Sequence, residues 1–508
     1  MGTQTMSNEE NYRFDVAGYL VIPGVLTAAE LKACNRVLDQ RDSSNGALRW
    51  TGPADNPLVA LREHPVLTGY LRQFCGEGFR LDESLRLLGG CEEAKPLTGG
   101  GEWIDWSRAY RQHNGDRFCQ GVRVYWALAE VGPGDVGLVV VPASHNSTVD
   151  APRDLVDGTD DMGLLEQPVL QAGDLMICAE SLMRGLQPVP GKAMQRLLEC
   201  AYISASVRPG MESEIDGAGD EMPEWTAELT ELQRAVLHNP DRSQPFPVVH
   251  SDGQKVWLAE ESEVFHPSIY IRDPDSRIDE KEFYYWDLNG HLVLRGVMDE
   301  AWLKAANEAI DANPERIQTG GPVAAEETPL GSKGVPRSSI ADPWALPAPH
   351  GESFQRMIAD PVLIQRLNWM MGSGYECMLG SGLLLAKGSA GHRLHSPAAP
   401  ARVNNHYRQQ NGRVYTDYVN VAWQLRDVTR EDGGFVCVPG SHKTVYPMPE
   451  GIKTCENEMG LVKHVAMKAG DVLLFLGATQ GHGAYPWMGK EDRRMILFQY
   501  RSRNLYAP

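Results

Sequence analysis

The feature that most constrains the fold of this chain is an internal repeat, in which four sequence blocks occur twice and in the same order. The block DVAGYLVIPGVLTAAELKACNRVLDQ, which begins at Asp15, returns as DLNGHLVLRGVMDEAWLKAANEAIDAN at Asp287, 272 residues later. The block AYRQHNGDRFCQGVRVYWAL, from Ala109, returns as HYRQQNGRVYTDYVNVAWQL from His406, at an offset of 297. The blocks VVVPASHNS and AGDLMICAESLMRG return as VCVPGSHKT and AGDVLLFLGATQGHG, the last with one additional residue. We therefore predict a tandem duplication of one domain of about 200–230 residues.

Both copies have the same predicted outline. Each opens with a short apolar strand, Tyr19–Ile22 or His291–Leu294, followed by a Gly turn and an amphipathic helix that begins near Thr27 or Asp299 as N-cap. The later part of each copy consists of short Val-, Leu- and aromatic-rich runs separated by Gly, Pro and Asp, which is typical of an antiparallel barrel or jelly roll. The fold class is therefore predicted to be α+β, mainly β: two tandem double-stranded β-helix (jelly-roll, cupin-like) domains with flanking helices. The predicted strands are Val122–Ala127, Leu138–Val141, Asp174–Cys178, Val419–Leu425, Phe435–Val438 and Val472–Leu476.

The repeat also sets the predicted domain boundaries. Residues 1–207 form the first copy, residues 282–508 form the second, and residues 208–281 are an acidic extension and linker. In this linker Glu212–Glu231 carries eight acidic residues and no Lys or Arg. We interpret this run as a solvated face, with helical spacing continuing through Trp225–Leu237.

Composition excludes several function classes. The 508 residues include 48 Lys and Arg against 67 Asp and Glu, a net charge of −19, which disfavours nucleic acid and anionic membranes as partners because both are bound through basic residues. No apolar run is long enough to cross a bilayer, and the opening MGTQTMSNEE lacks the regions of a secretory signal. Nine dispersed cysteines, never spaced C-x-x-C, indicate neither disulfides nor a zinc site. We expect a cytoplasmic protein that acts on a small-molecule substrate and is monomeric, as an internal pseudo-dimer.

Several recurring motifs carry a family resemblance. They resemble, in order and separation, those of the phytanoyl-CoA dioxygenase (PhyH)-like family of non-haem iron, 2-oxoglutarate-dependent oxygenases, over nearly all of both copies. The resemblance implies Fe(II), 2-oxoglutarate and O2 as cofactor and co-substrates. In the second copy the motifs are VPGSHK at Val438–Lys443, Gly470-Asp471 followed by an apolar strand, His482-Gly483, and the adjacent Arg493 and Arg494.

The resemblance also implies roles for individual residues. A ferrous ion in such a site takes three protein ligands on one face, usually two histidines and a carboxylate. The family's distal iron ligand falls on His482, and its 2-oxoglutarate arginine falls about eleven residues beyond, on Arg493 or Arg494. We expect Arg494, because aligning Arg494 and Tyr500 with Arg196 and Tyr202 places an arginine there in both copies.

The proximal ligand is expected upstream of the strand that carries Trp423, and His395 fits best. In the first copy Thr98 takes the place of His395, and Arg184 takes the place of His482. Since neither supplies an imidazole, we interpret the first copy as a metal-free scaffold.

The third ligand departs from the family pattern, because Pro397 stands where His-x-Asp or His-x-Glu is expected. Three alternatives remain open. Asp417 reaches the metal from the next strand, His406 completes an all-histidine face, or the position is empty as in iron halogenases.

Two further residues are assigned by their recurrence. His442 recurs as His145 in the copy that lacks the other histidines, so we interpret it as structural. Trp423 recurs as Trp126 and is expected in the core, with the alternative that its indole lines the co-substrate pocket.

The predicted function is that of an Fe(II)/2-oxoglutarate-dependent oxygenase that hydroxylates or otherwise oxidises an unactivated C–H of a small organic substrate, with its site in residues 282–508. One alternative is a three-histidine iron dioxygenase that does not use 2-oxoglutarate. The other is a non-catalytic small-molecule-binding protein, for which the missing His-x-Asp is the main argument.

Overall fold

The computed structural model describes most of both predicted copies. It covers residues 6–40; residues 57–204 with gaps at 63, 77–78, 89–95, 100–108, 114–115, 148 and 192–195; two strands within 248–259; and residues 279–502 with gaps at 321–326, 332–333, 372–374, 396–406, 411–412 and 417. The predicted helical run 225–237 lies outside these residues.

The first part of the chain is a helical layer followed by antiparallel strands. Its main sheet has the strand order β1-β7-β5-β9-β2, and β6-β8 and β3-β4 form separate pairs. The elements are α1 Asn8–Ala17, β1 Tyr19–Ile22, α2 Ala28–Asp39, α3 Pro57–Leu61, α4 Pro65–Cys75, β2 Arg80–Leu87, β3 Tyr110–His113, β4 Asp116–Cys119, β5 Gly121–Ala127, β6 Gly137–Val140, α5 Arg153–Val156, β7 Leu175–Ala179, β8 Arg184–Gln187 and β9 Leu197–Ile203, followed by the hairpin β10 Val248–Ser251 and β11 Val256–Ala259.

The second part has a larger version of the same arrangement. A seven-stranded sheet has the order β12-β22-β19-β24-β15-β14-β13, a four-stranded sheet has the order β16-β23-β20-β21, and β17-β18 form a hairpin. The elements are α6 Glu280–Asn289, β12 His291–Leu294, α7 Glu300–Asp311, β13 Ile317–Thr319, β14 Ser338–Ile340, α8 Glu352–Ile358, α9 Pro361–Met371, β15 Tyr375–Leu385, β16 His392–His395, β17 Tyr407–Gln410, β18 Arg413–Thr416, β19 Tyr418–Gln424, β20 Gly434–Cys437, α10 Glu450–Thr454, β21 Lys463–His464, β22 Val472–Phe475, β23 His482–Tyr485 and β24 Arg493–Ser502.

The strand orders of the two main sheets correspond one to one over five strands. The order β1-β7-β5-β9-β2 in the first sheet matches β12-β22-β19-β24-β15 in the second. The register also matches, since Tyr19 pairs with Cys178 where His291 pairs with Phe475. The mixed α and antiparallel β architecture agrees with the predicted fold class. The duplication itself stays a prediction, which this correspondence supports.

The predicted opening elements are present in both parts. Strands β1 and β12 have the predicted bounds, and helices α2 and α7 follow them with Thr27 and Asp299 as N-caps. Each cap side chain accepts a hydrogen bond from a first-turn backbone N–H, which satisfies a donor that the helix itself leaves unpaired. The structure adds helices α1 and α6 before these strands, which the apolar pattern did not reveal.

In the second part, two sheets face each other with one apolar layer between them. Ala422 and Phe475 of the larger sheet share this layer with Phe435 and Cys437 of the smaller one. The opposite face of the larger sheet packs on the helices, since Trp423 joins a separate core with residues of α7, α8 and α9. Successive residues of β19 therefore point alternately into the space between the sheets and towards the helices.

Two further sequence expectations concern disulfides and membrane-spanning segments. The eight cysteines among them are all free, and all except Cys377 are buried. Among the helices that the structure describes, none is both long enough and apolar enough to span a bilayer.

Candidate metal centre

Two histidines meet between the sheets of the second part. β16 pairs with β23 in antiparallel register, with His395 directly opposite His482. Their ring centroids are 4.2 Å apart. His482 is buried against Phe475, whose ring centroid lies 4.8 Å away, whereas His395 is exposed. The structure thus brings together the two histidines that the sequence selected, which are 87 positions apart in the chain.

Both imidazoles are oriented for metal binding. His482 Nδ1 lies 2.8 Å from the carbonyl oxygen of Gln480, and His395 Nδ1 lies 3.1 Å from that of Arg393. A histidine whose Nδ1–H donates to a carbonyl keeps its Nε2 lone pair available, which is the common arrangement of metal-binding histidines. Burial, together with the neighbouring His395, lowers the pKa of His482 to about 3. The ring is therefore neutral near pH 7, as a ligand must be, and this pair fits a ferrous ion.

The third ligand is not found among the described residues. No group of three His, Cys, Asp or Glu side chains in the described ranges is arranged to hold a metal ion. Both candidates from the sequence, Asp417 and His406, lie outside those ranges. A further imidazole, His392, lies on the same strand as His395 with ring centroids 4.7 Å apart, and sequence reasoning did not single it out.

The two adjacent arginines of β24 point to opposite sides of the sheet. Arg494 bonds Asp492 through Nε at 2.8 Å and Asp311 of α7 through Nη2 at 2.7 Å, so it faces the helices. Arg493 extends between the sheets, where a Cβ added at Gly434 would lie 3.4 Å from its guanidinium carbon. The side chain of Arg494 therefore does not lie between the sheets, where its expected role would require it, and the side chain of Arg493 lies there instead.

Arg493 is a buried cation without a described counter-ion. Only 3% of its surface is exposed. Its Nε has no hydrogen-bond partner, and no ion pair involves it among the residues that the structure covers. Burial, and to a smaller extent the charge of Arg337, lowers its pKa to about 10, so the group remains charged at neutral pH. An uncompensated buried cation is costly, so this position is suited to bind an anion.

Trp423 does not line this space. It is fully buried, and its ring packs on Trp302 of α7 with centroids 5.2 Å apart. Strand alternation places it on the helix face, so the assignment to the co-substrate pocket is wrong and the core interpretation fits. The side chain of Asn420, three residues earlier, approaches Gly477 instead, and its Oδ1 has no partner within the described residues. Asn420 lies opposite Phe475 on β22 and shares the strand face of Ala422, so it is a polar group between the sheets.

The first part carries a charge network where the second carries the histidines. Thr98 forms an isolated bridge with Arg184, just as His395 pairs with His482. Arg184 Nη2 lies 3.2 Å from Glu180 Oε1, and Arg123 Nε lies 3.0 Å from the same oxygen. Burial alone would lower the pKa of Arg184, but Glu180 raises it. These residues are charge-paired with one another and offer no imidazole to a metal.

His442 has the structural position expected for it. It is buried in the turn Ser441–Lys443, and its Nε2 lies 3.0 Å from the carbonyl oxygen of Asp287. His145 makes the corresponding 3.1 Å contact with the carbonyl oxygen of Asp15.

Facing antiparallel sheets, with two paired histidines on the smaller sheet and a buried arginine on the larger one, are the arrangement expected of a jelly-roll protein. A family comparison specifies the class further. Residues 286–495 match the family model described as phytanoyl-CoA dioxygenase (PhyH), so this part of the chain is a PhyH domain, of the non-haem iron, 2-oxoglutarate-dependent oxygenase type. The expected Fe(II), 2-oxoglutarate and O2 follow from this assignment.

Three solved structures resemble part of the chain at low sequence identity. HygX from Streptomyces hygroscopicus with nickel and 2-oxoglutarate bound is 23% identical, covering 44% of this chain and 88% of its own, with a TM-score of 0.37. The non-haem α-ketoglutarate-dependent epimerase SnoN from nogalamycin biosynthesis is 20% identical, covering 44% and 82%, with a TM-score of 0.33. AviO1 from Streptomyces viridochromogenes Tue57 is 17% identical, covering 45% and 95%, with a TM-score of 0.32. No curated protein sequence matches the chain significantly.

Proposed function

We propose that residues 282–508 catalyse the Fe(II)- and 2-oxoglutarate-dependent oxidation of an unactivated C–H in a small organic substrate. His395 and His482 are the metal ligands of this proposal. The observation that carries it is their direct pairing across β16 and β23 inside the PhyH domain, with both Nδ1 atoms directed at backbone carbonyls.

The bound metal with 2-oxoglutarate and O2 supplies the oxidant, which in a hydroxylation yields succinate, CO2 and the alcohol. The chain supplies the ligands and the orientation. Arg493 would bind the distal carboxylate of 2-oxoglutarate, because a guanidinium pairs with a carboxylate through two parallel N–H donors. The apolar layer of Phe435 and Phe475 excludes water from the region next to His482.

The proposal also assigns a role to the parts of the chain outside the catalytic domain. Residues 1–207 would be a metal-free copy of the domain, since Arg184 and Thr98 occupy the positions of the two histidines. Residues 208–281 would link it to the catalytic copy, and the whole would act as a monomer. Asp417 and His406 remain the proposed alternatives for the third ligand.

Anaerobic titration with Fe(II) tests the metal site directly. We expect one Fe(II) per chain, and loss of binding in His482→Ala and in His395→Ala. Thr98→Ala, the matched change in the first part, should leave the stoichiometry at one. Absence of binding by the wild-type chain would contradict the proposal, and two ions per chain would contradict the metal-free first copy.

A three-histidine dioxygenase that does not use 2-oxoglutarate is a second candidate, with His406 as the third histidine. His392, whose ring centroid lies 4.7 Å from that of His395, does not form a three-ligand group with the pair. The two candidates differ in one measurement. Oxygen consumption with substrate should require 2-oxoglutarate under the main proposal and be independent of it under the alternative.

A further inference from the structure

We propose that the first part of the chain positions the metal ligand His482 of the second part, through a hydrogen-bonded connection that runs from Asp15 to the turn Ser441–Lys443. The inference rests on the proposed function, because it concerns the binding of the metal. Asp15 and Thr444 are positioning residues in this scheme and do not contact the metal.

The turn holds the start of the strand that carries His482. Ser441 Oγ accepts a 2.8 Å hydrogen bond from the backbone N–H of Gly481. The backbone N–H of Val438, just before the turn, donates to the carbonyl oxygen of Gly481 at 2.8 Å. Both backbone groups of the residue before His482 are thus fixed by this turn, so a shift of the turn moves the imidazole.

The first part of the chain forms hydrogen bonds at the C-terminal end of this turn. Asp15, at 1% exposure, accepts hydrogen bonds from Thr444 Oγ1 at 2.5 Å and from the backbone N–H of Val445 at 3.2 Å. Lys443 Nζ donates to the carbonyl oxygen of Asn146 at 3.1 Å. Three consecutive residues, the last of the turn and the two that follow it, therefore donate to acceptors of the first part.

The two parts touch at equivalent positions. Gly440, at the start of the turn, corresponds to Ala143 in the first part at the offset of 297. A Cβ added at Gly440 would lie 2.8 Å from the Cβ of Ala143 and 2.9 Å from the carbonyl oxygen of Val16. Equivalent residues meet in this way across a two-fold axis.

The reciprocal contacts provide a matched control. Ser147, at the position equivalent to Thr444, lies 3.3 Å from the carboxylate of Asp287. Its turn holds the backbone N–H of Met183, before Arg184, through Ser144 Oγ at 2.8 Å. Loss of the Ser147 hydrogen bond therefore affects the turn of the first part, which positions no metal ligand. Asp287 still accepts hydrogen bonds from Lys443 and Tyr407.

Four variants of the full chain test the inference: Thr444→Val, Thr444→Ser, Asp15→Asn and Ser147→Ala. Each is titrated anaerobically with Co(II), following the visible absorption of the bound ion, and its melting temperature is measured without metal. Thr444→Val and Asp15→Asn should bind Co(II) about fivefold to tenfold more weakly, since changes at groups that orient metal ligands typically cost 10–100-fold and these residues act one step further away. Their Co(II) spectra should also change. Thr444→Ser restores the hydroxyl and should restore both affinity and spectrum, and Ser147→Ala should match the wild type in both.

The outcomes are separable. If the wild type binds Co(II) and both Thr444→Val and Asp15→Asn keep its affinity and spectrum, the positioning inference is wrong and the proposed function stands. If Ser147→Ala weakens binding as much as Thr444→Val does, the effect is general destabilisation and the inference is again wrong. If the wild type binds no ion, the proposed function itself has failed. Should Thr444→Val fail to fold, Asp15→Asn against Ser147→Ala decides the question.

Discussion

At the scale of single residues, Arg493 and Arg494 are adjacent on β24, but their side chains lie on opposite faces of the sheet. Arg494 has partners in Asp311 and Asp492 on the helix side of the sheet. Arg493 projects between the sheets without a described counter-ion. The preference of the sequence for Arg494 rested on its recurrence as Arg196, and Arg196 likewise pairs with a helix carboxylate, Asp39. The recurring arginine is therefore the structural one.

The neighbouring arginines give a paired prediction. In Arg493→Leu, the KM for 2-oxoglutarate should rise by about 10- to 100-fold, because hydrogen bonds to a charged group contribute about 1.5–3 kcal/mol. In Arg494→Leu the KM for 2-oxoglutarate should change little. Oxygen consumption measured against 2-oxoglutarate concentration provides the comparison, and equal effects in the two variants would count against Arg493 as the anchor.

Removal of Arg493 should also change stability in an unusual direction. Without 2-oxoglutarate, wild-type Arg493 is a buried cation whose desolvation is not offset by a described carboxylate. We expect Arg493→Leu to raise the melting temperature of the ligand-free protein, and added 2-oxoglutarate to stabilise the wild type alone. Differential scanning calorimetry with and without 2-oxoglutarate measures both effects, and destabilisation of the ligand-free variant would show that the guanidinium already has a counter-charge.

At the scale of elements, the pairing of β16 with β23 places the two histidines opposite each other, and a glycine permits it. A Cβ added at Gly483 would lie 2.5 Å from the carbonyl oxygen of His392. That oxygen belongs to the backbone of β16 and cannot move without the strand. In the first part, a Cβ at the equivalent Gly185 would meet the Cδ2 of Leu97 at 2.6 Å, which is the end of a flexible side chain.

We therefore predict different outcomes for the same substitution at the two glycines. Gly483→Ala should destabilise the protein by about 1–3 kcal/mol, the usual cost of overpacking, and should weaken metal binding by moving β16 away from β23. Gly185→Ala should cost less and leave metal affinity unchanged. Urea unfolding and Fe(II) titration of both variants test this, and equal metal affinity in the two would mean that β16 adjusts without displacing His395.

The elements also show what the sequence can predict here. Strands β1 and β12 and helices α2 and α7 were predictable because a repeated apolar pattern and an N-cap residue mark each of them twice. Helices α1 and α6 were missed because they bury consecutive residues near their ends, including Asp15 and Asp287, and show no single apolar stripe. Their caps, the Ser7–Glu10 capping box and Asp279, were the available signal.

The same limit applies to the site. The motifs selected His395 and His482, which the structure brings together, while their role as metal ligands stays a prediction. The orientation of Arg493 and Trp423 depends on which face of a strand packs on the helices, and buried strands with apolar residues on both faces do not show this in their sequence.

At the scale of the whole molecule, the two parts of the chain share one apolar core. Tyr12, Val16 and Leu182 of the first part belong to the same buried cluster as Val436, Ile452 and Leu461 of the second. The hydrogen bonds of Asp15 with Thr444 and of Ser147 with Asp287 lie beside this cluster. Since separation would expose the shared core and break the hydrogen bonds of Asp15 with Thr444 and of Ser147 with Asp287, we predict a single cooperative unfolding transition for the two parts. Two resolved calorimetric transitions would contradict this.

The contact between the parts should also make stability depend on pH. Burial, the largest cause in both cases, lowers the pKa values of the turn histidines His145 and His442 to about 3, with the charge of Lys443 acting in the same direction. An unfolded histidine has a pKa of about 6.5. Between about pH 6.5 and pH 3 the unfolded chain therefore binds protons at these positions that the folded chain does not, so the stabilisation is present above pH 6.5 and is lost as the pH falls. Each histidine should contribute about 1.4 kcal/mol per pH unit well inside this window.

Asp15 acts in the opposite direction, because burial raises its pKa and the folded state gains a proton there first. One carboxyl offsets at most one of the two histidines, so the net effect of the three groups is a loss of stability on acidification. We expect the free energy of unfolding of the wild type, measured with urea, to decrease between pH 6 and pH 5. In His145→Gln the free energy of unfolding should decrease less steeply, by about 1.4 kcal/mol per pH unit. An unchanged slope in His145→Gln would mean that this imidazole is already protonated in the folded protein, and that the contact between the two parts tolerates a charge on it.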